Sequence, residues 1–380
     1  MIIRTAALLL LAMLAGCSTV SGWFSSEKTG KEPAELVEFK QAATFDVRWH
    51  QKIGESENYV LQPAVTSDAV YAANAEGELF RLDPVTGKQV WRVDSGFTIS
   101  AGVGVGEGLV LVGGGKGQLA AFAADGKSLW TTKVSSEVLN VAPVVDGIVV
   151  VRTADGRLSG IDATDGSRLW QYEHAVPSLI VRSHAGVAVE RGTVFAGLPA
   201  GKLTAISLSS GIVIWETVVS LPRGNTELER ISDITSSPVL DDEQVCAVAF
   251  QGRVACYSLS QGSLLWSRDL SSDKGIQLFH NYLYSTNTSG AVLAMDKSSG
   301  SSVWKNDQLF MRQPTVPQVY GDNLVVGDYE GYLHALSRED GSMVARLKTD
   351  GSAMLTAPMK FDGGLLVQTQ DGGLYSVILH

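Results

Sequence analysis

Short apolar runs alternate with turn residues along most of this chain. In a typical example, Ile148-Val149-Val150-Val151 precedes the turn Ala154-Asp155-Gly156, and a stretch of alternating apolar and polar residues follows. Apolar runs bounded by glycine, and alternation with a period of two, predict β-strands joined by hairpins. No long segment has the 3.6-residue period of an amphipathic helix. The pattern therefore predicts an all-β protein.

The strand pattern repeats, with a tryptophan at a constant place in each repeat. A glycine is followed ten residues later by a second glycine and four residues after that by tryptophan, and one repeat is a residue shorter. The tryptophans are Trp91, Trp130, Trp170, Trp215, Trp266 and Trp304, separated by 38 to 51 residues. One four-stranded propeller blade requires roughly 40 to 50 residues. Each repeat is therefore expected to form one blade, with its tryptophan packed between blades rather than in a ligand cage.

The two ends of the chain decide the number of blades. A seventh repeat has Ala345 in place of the tryptophan, and an eighth stops at His380 before its last strand. The missing strand is found at the other terminus, where Trp49 precedes Trp91 by 42 residues. We therefore expect an eight-bladed β-propeller over residues 43–380, with four antiparallel strands per blade and the N-terminal strand closing the last blade.

A different pattern occupies the N-terminus. Arg4 is followed by an apolar run ending at Leu14, too short to span a bilayer but long enough for the core of a signal peptide. The run leads into Leu-Ala-Gly-Cys at Cys17, which resembles the lipobox of bacterial lipoproteins. Residues 1–16 are therefore expected to be a cleaved signal peptide, and Cys17 is expected to carry the acyl chains.

Residues 17–42 are rich in Ser, Glu, Lys and Gly and have little periodicity. This composition predicts a lipidated N-terminus followed by a flexible tether. In lipoproteins of this kind an aspartate after the cysteine favours the inner membrane, whereas Ser18 stands here. The expected location is therefore the outer membrane, with the propeller in the periplasm.

Composition and charge narrow the classes of function. The chain has 45% hydrophobic residues, 40 glycines and 11 prolines, as a compact all-β domain requires. Its net charge is −10, and removal of residues 1–16 takes away one basic group. No basic stripe with interleaved aromatic residues is present in the sequence, so nucleic acid is not an expected partner.

Cys246 and Cys256 flank a predicted hairpin turn. If the two positions oppose each other across the turn, an oxidising compartment leads to a disulfide. If the turn holds four residues, Cys246 faces Tyr257 instead. The sequence leaves both registers open.

Residues with catalytic spacing are scarce. The six histidines are scattered, no Cys-x-x-Cys pair occurs, and the sequence has no Gly-x-Ser-x-Gly nucleophile elbow. No catalytic residue, metal or cofactor is therefore expected. The sequence favours a binding protein over an enzyme.

Two connectors between repeats are unusually long. They are residues 171–183 and residues 221–235, which follow neighbouring blades and are expected on the same face of the ring. Long loops on a rigid scaffold commonly carry function. Both mix aliphatic and charged residues, which suits a protein partner; the alternative is that both are solvated loops without a partner.

The lipobox, the repeats and two connector motifs together resemble the BamB family, the lipoprotein subunits of the outer-membrane β-barrel assembly machine. The motifs are Pro177-Ser178-Leu179-x-Val181-Arg182 and Thr226-Glu227-x-x-Arg230-x-Ser232-Asp233. The resemblance covers the whole chain. It implies a non-enzymatic scaffold that binds the periplasmic POTRA domains of BamA and promotes folding and insertion of outer-membrane proteins, whose unfolded chains are a further candidate partner.

The resemblance also implies partner-binding residues at Leu179, Val181, Arg182 and Asp233. Val181 replaces a leucine of the family pattern, and Thr235 stands where some relatives have a second carboxylate. Asp233 either contacts the partner or holds Arg182 in position, and the sequence does not choose between these roles.

Two other interpretations use the same repeats. One is a quinone-dependent dehydrogenase, but such enzymes carry adjacent cysteines and long inserted loops, which this sequence lacks. The other is a lipid-tethered propeller serving a different envelope complex, such as a module that binds the cell wall.

Overall fold

The structure is a computed structural model that describes residues 32–380. The expected signal peptide and Cys17 lie outside the described residues. The described strands form eight antiparallel sheets of four strands each, arranged as the blades of a ring, and the helical structure is limited to one 3-10 turn at Pro199–Gly201. The predicted eight-bladed β-propeller is therefore confirmed.

The strands follow one another from the innermost to the outermost position in each blade. Blade one is β2 (Ala64–Val65), β3 (Val70–Ala73), β4 (Glu78–Leu82) and β5 (Gln89–Asp94); blade two is β6 (Ile99–Gly106), β7 (Leu109–Gly114), β8 (Gln118–Ala123) and β9 (Ser128–Lys133). Blade three is β10 (Val138–Val141), β11 (Ile148–Thr153), β12 (Leu158–Asp162) and β13 (Arg168–Tyr172); blade four is β14 (Val187–Glu190), β15 (Thr193–Leu198), β16 (Lys202–Ser207) and β17 (Val213–Val218). Blade five is β18 (Val239–Leu240), β19 (Gln244–Val248), β20 (Arg253–Ser258) and β21 (Leu264–Asp269); blade six is β22 (Gly275–Phe279), β23 (Tyr282–Thr286), β24 (Val292–Asp296) and β25 (Ser302–Asn306). Blade seven is β26 (Gln318–Tyr320), β27 (Asn323–Gly327), β28 (Tyr332–Ser337) and β29 (Met343–Lys348); blade eight is β30 (Met359–Phe361), β31 (Gly364–Gln368), β32 (Gly373–Leu379) and β1 (Phe45–Lys52).

The two ends of the chain close the ring within blade eight. Strand β1 pairs antiparallel with β32, so that Trp49 lies opposite Ser376 and Phe45 opposite Leu379. His380 and Thr44 extend the ladder by exchanging backbone hydrogen bonds. The N-terminal strand therefore completes the last blade, as the sequence predicted.

Burial follows the position of a strand in its blade. All six residues of β11 and four of the five in β12 are buried, because these middle strands are covered by blades on both sides. In the outermost strand β13 only Trp170 is buried, and its neighbours Leu169 and Gln171 are exposed. Continuous apolar runs in the second strand and alternation in the fourth are therefore direct consequences of propeller packing.

Each repeated tryptophan joins its blade to the next one. Its indole N–H donates to a backbone carbonyl in the hairpin between the third and fourth strands of the following blade, and the second glycine of that blade's repeat lies against the indole ring. A Cβ on Gly87, for example, would lie 2.5 Å from the Trp49 ring. The donor and acceptor residues are Trp49 and Pro84, Trp91 and Ala124, Trp130 and Ala163, Trp170 and Leu208, Trp215 and Leu259, Trp266 and Lys297, and Trp304 and Arg338.

This arrangement explains why Ala345 replaces tryptophan in blade seven. In blade eight the third and fourth strands are the two ends of the chain, so no hairpin joins them. A tryptophan at position 345 would lack the hairpin carbonyl and the glycine that the other tryptophans use. Ala345 is instead fully buried in a cluster that includes Phe45 and Ala43 from the N-terminal part of the chain.

Residues 34–42, here called the N-terminal segment, lie against blades six and seven rather than forming a free tether. The Ala34 N–H donates to Phe310 O and the Ala42 N–H donates to Val344 O. Arg346 donates to Val37 O and its guanidinium lies over the ring of Phe39, 4.9 Å from the centroid. The sequence assigned this segment to the tether because it has no strand periodicity.

A buried charge network secures the N-terminal segment. Arg312 is 3% exposed, ion-pairs with Asp328 and donates to Ala34 O. Asp328 also accepts a hydrogen bond from His334, whose other ring nitrogen accepts one from Arg346. Burial opposes ionisation of Asp328, but the hydrogen bond from His334 and the nearby cations hold its pKa below the usual range.

Cys246 and Cys256 are directly opposite one another and form a disulfide between β19 and β20. The turn between the paired residues Val248 and Val254 holds residues 249–253, an odd number, and this selects the register with facing cysteines. Both cysteines are fully buried. The disulfide is therefore a structural link within blade five.

Candidate functional site

All connectors from the outermost strand of one blade to the innermost strand of the next emerge at the same end of the propeller, because strand direction alternates within each blade. This end is called the connector face. The two expected long connectors lie there: residues 173–186 between β13 and β14, called the first connector, and residues 219–238 between β17 and β18, called the second connector.

The connector face has three further substantial connectors that the sequence reading missed. They are residues 53–63, 307–317 and 349–358. They were hidden because the first strands of the blades they lead into are only two or three residues long and have little pattern of their own. Together with the first and second connectors they surround a cavity of about 470 Å³, lined partly by Gln62, Ser183, Thr235, Asp273, Gln313 and Thr356.

The first connector presents Leu179 to solvent and turns Val181 inward. Leu179 is 40% exposed, whereas Val181 is half-buried and lines cavities on the connector face. Alternate residues of an extended loop would face the same side. The backbone bends at residues 178–179, so the two aliphatic side chains do not form one exposed pair.

Arg182 is exposed and is held by residues from two other connectors. Its guanidinium donates to Glu137 Oε1 at 2.6 Å and lies over the ring of Tyr59, 5.8 Å from the centroid. More than half of the side chain, 53%, is still accessible. The ion pair and the ring orient Arg182 while leaving donors available to a partner. Sequence reasoning did not identify Glu137 or Tyr59, because neither belongs to the two connector motifs.

Asp233 is 3% exposed and acts behind the first connector. One carboxylate oxygen accepts the Val181 N–H at 2.7 Å, and the other accepts the Ala200 N–H at 2.9 Å. Arg182 pairs with Glu137 instead. Asp233 therefore neither reaches the surface nor holds the Arg182 side chain; it holds the backbone beside Arg182.

The motif in the second connector builds the loop itself. The Glu229 carboxylate accepts the Asn225 and Thr226 N–H groups, and the Thr226 hydroxyl accepts the Glu229 N–H. This reciprocal pattern is that of a capping box and closes a tight turn. The turn leaves Leu228 66% exposed to solvent. Thr235 is buried and its hydroxyl donates to Asp273 O, which bridges to the next connector.

Asp233→Ala is expected to loosen the first connector without unfolding the propeller. The substitution leaves two N–H groups without their charged acceptor, and each hydrogen bond to a charged group is worth about 1.5–3 kcal/mol. Hydrogen exchange should become faster at the amides of Val181 and Ala200, and the melting temperature should fall. Glu227→Ala, on the exposed part of the second connector, is the control. Unchanged protection of the Val181 amide would show that Asp233 does not hold this loop.

The described residues contain no group of three His, Cys, Asp or Glu side chains arranged to hold a metal ion. Within residues 32–380 there is also no helix with the length and apolarity needed to cross a membrane.

The family model and two of the most similar relatives carry the same family description. Residues 75–306 match the family model described as "Outer membrane protein assembly factor BamB". The chain is 43% identical to a protein of that name from Nitrosomonas eutropha over 388 residues, covering 99% of this chain and 95% of the relative. It is 38% identical to a protein of the same name from Burkholderia pseudomallei, covering 96% and 94%.

Solved structures agree with the sequence comparison. The crystal structure of BamB from Moraxella catarrhalis superposes with a TM-score of 0.81 at 26% identity, covering 88% of this chain and 99% of that one. A quinohemoprotein alcohol dehydrogenase from Comamonas testosteroni superposes with a TM-score of 0.72 at 14% identity, covering 88% of this chain and 76% of that one. The second likeness shows the shared propeller fold alone. The chain belongs to the BamB family, whose members are named as outer membrane protein assembly factors and not as enzymes.

Proposed function

We propose that this chain is a lipid-anchored scaffold of the outer-membrane β-barrel assembly machine, and that it binds POTRA domains of BamA through the connector face. In this role it promotes folding and insertion of β-barrel proteins from the periplasmic side of the outer membrane. The observation that carries the proposal is that Leu179 and Arg182 are both exposed on the first connector. The buried carboxylate of Asp233 holds the backbone of this connector through the Val181 N–H.

The hydrogen bonds that hold the first connector support a binding role. A loop that is already ordered loses little conformational entropy when a partner docks, so more of the contact energy appears as affinity. Asp233 fixes its backbone, and Ser183 donates to Thr235 O at 2.9 Å to join it to the second connector. An aliphatic side chain beside an oriented arginine is the composition of an interface hot spot.

The second connector extends the same surface. Leu221 and Leu228 are 65% and 66% exposed, each more than Leu179. Exposed aliphatic residues among charged residues are typical of the surfaces on which protein partners dock. The partner is therefore expected to cover both connectors.

The proposed docking is tested by titrating the purified propeller with the periplasmic POTRA region of BamA, and by capturing partners from envelope extracts with the full lipoprotein. A large β-barrel protein as the main captured partner, together with saturable binding of the POTRA region, supports the proposal. Capture of a wall fragment or of a soluble cofactor, without POTRA binding, would contradict it.

Cys17→Ser is expected to leave the propeller folded and to abolish lipidation. Because multiple acyl chains are what hold a lipoprotein stably on a bilayer, the variant should be found in the soluble periplasmic fraction or retained through an uncleaved signal peptide. Mass spectrometry of the mature N-terminus, with circular dichroism of the released protein, makes the measurement. An unmodified Cys17 in wild-type protein taken from membranes would contradict the proposed anchor.

A further inference from the structure

A second recess on the connector face lies beneath the first connector, between blades three and four. Its volume is about 270 Å³, and its lining includes the apolar side chains of Leu139, Ile180, Leu198 and Ile234. One basic side chain from the blades, Arg152, also lines it. Arg152 lies on β11, near the end of that strand that reaches the connector face.

Arg152 is a buried cation with unused hydrogen-bonding capacity. It is 7% exposed, and its terminal amino group donates to Gly197 O on β15 of the neighbouring blade. Its Nε has no hydrogen-bond partner, and no carboxylate among residues 32–380 forms an ion pair with its guanidinium. Burial lowers the pKa of Arg152 to about 10, so the group is still charged at neutral pH. A buried charge without a counter-ion destabilises a fold, so its presence calls for an explanation.

Neither charged group that shares the cavity lining forms an ion pair with Arg152. Asp233 lines the same cavity, but its two oxygens are directed to the Val181 and Ala200 N–H groups. Arg182, also in the lining, is paired with Glu137. The cavity therefore combines apolar walls with one unpaired guanidinium.

We propose that this cavity receives an acidic side chain of the protein that docks on the connector face, and that Arg152 is the cation that pairs with its carboxylate. The apolar walls suit the methylene groups of a glutamate, and the Arg152 guanidinium, which lines the cavity, suits its carboxylate. The inference rests on the proposed docking of a protein partner at this face.

A protein is the expected source of the carboxylate because the cavity is continuous with the proposed docking surface. Val181 and Arg182 line the cavity and also flank the exposed Leu179 on the same connector. A partner seated on Leu179 and Arg182 would lie next to the opening. A carboxylate delivered from that surface would be enclosed by apolar groups, where its attraction to Arg152 is strongest.

Arg152→Met tests the assignment, since methionine keeps much of the side-chain volume and removes the charge. We expect the dissociation constant for the POTRA region of BamA to rise at least tenfold by isothermal titration, while the melting temperature stays the same or increases. Arg152→Lys keeps the charge but lacks the planar guanidinium that can bind both carboxylate oxygens. Its affinity should lie between those of Arg152→Met and the wild-type protein. Arg168→Met, an exposed arginine on β13 of the same blade, is the matched control and should bind like the wild-type protein.

A direct signal comes from the Arg152 Nε–H resonance, which is identified by its loss in the methionine variant. Addition of the POTRA region should shift this resonance as a carboxylate approaches the guanidinium. Each glutamate of the POTRA region is then changed to glutamine and tested against wild-type protein and against Arg152→Met. The glutamate that pairs with Arg152 is the one whose substitution weakens binding to the wild-type protein but not to Arg152→Met.

The outcomes distinguish failure of the Arg152 inference alone from failure of the proposed docking. If wild-type protein binds the POTRA region and Arg152→Met binds equally well with a lower melting temperature, Arg152 is only a strut to Gly197 and the inference is wrong. If wild-type protein does not bind, the proposed docking fails and this inference fails with it. A Nε–H resonance that responds to free glutarate but not to the POTRA region would assign the pocket to a small carboxylate and overturn the protein source.

Discussion

A chain that begins at His50 is expected to lose several kcal/mol of unfolding free energy relative to one that begins at Ser18. The truncation removes most of β1, the fourth strand of blade eight, and exposes the edge of β32. It also removes Trp49, whose ring packs on Gly87 and whose N–H donates to Pro84 O. Loss of a buried tryptophan side chain alone costs about 3–5 kcal/mol. Denaturant unfolding of the two chains measures the difference.

A shorter truncation separates ring closure from the contacts of the N-terminal segment. Removal of residues 18–40 should lower the unfolding midpoint moderately, because Arg312 and Arg346 lose their contacts with Ala34 and Val37. A flexible tether over the whole of residues 17–42, as their composition predicted, would give no change in the midpoint on that deletion.

Trp49→Ala keeps the strand and tests the same closure in a chain that still folds. Val47→Ala is the matched control, because Val47 lies on the same strand and is 44% exposed. Equal unfolding free energies for these two variants, or for the chains beginning at Ser18 and His50, would refute the closure of the ring by β1.

Leu179→Asp and Arg182→Glu are each expected to weaken binding of the BamA POTRA region at least tenfold, which corresponds to about 1.4 kcal/mol. The aspartate places a charge where an apolar contact is proposed, and the glutamate faces Glu137 and repels any partner carboxylate. Both side chains are exposed, so the melting temperature should change little. Titration calorimetry and thermal unfolding provide the two measurements.

The control for this pair is Lys127→Glu. Lys127 lies in the hairpin between β8 and β9, at the end of the propeller opposite the connector face, and it is exposed. It should bind the POTRA region like the wild-type protein. Wild-type affinity in both Leu179→Asp and Arg182→Glu would place the interface elsewhere on the propeller.

The blade number and the closure of the ring were predictable because both depend on patterns that are local in sequence. Each blade except the last is built from consecutive strands, so alternation and hairpin glycines report it directly. The spacing of glycine and tryptophan also reports contact between blades, because each indole packs on the next repeat's glycine. The unmatched half-repeats at the two ends then require a shared blade.

The residues that shape the connector face depend on contacts between distant parts of the chain. Asp233 binds the Val181 N–H across 52 residues, and Arg312 binds Ala34 O across 278. The connector motif singled out Asp233 without showing which groups it contacts, and Arg312 belongs to neither connector motif. The cysteine register depended on whether one turn holds an odd or an even number of residues, and composition does not report that.

The sequence by itself therefore determined the eight blades, their closure and the location of the two long connectors, because hydrophobic alternation and repeated glycine–tryptophan spacing are properties of neighbouring residues. Only the tertiary structure decided that Asp233 is buried, that Arg182 rests between Glu137 and Tyr59, and that Arg152 lies unpaired beneath the first connector. These contacts join segments that are far apart in the sequence and that meet only where several blades come together at one face.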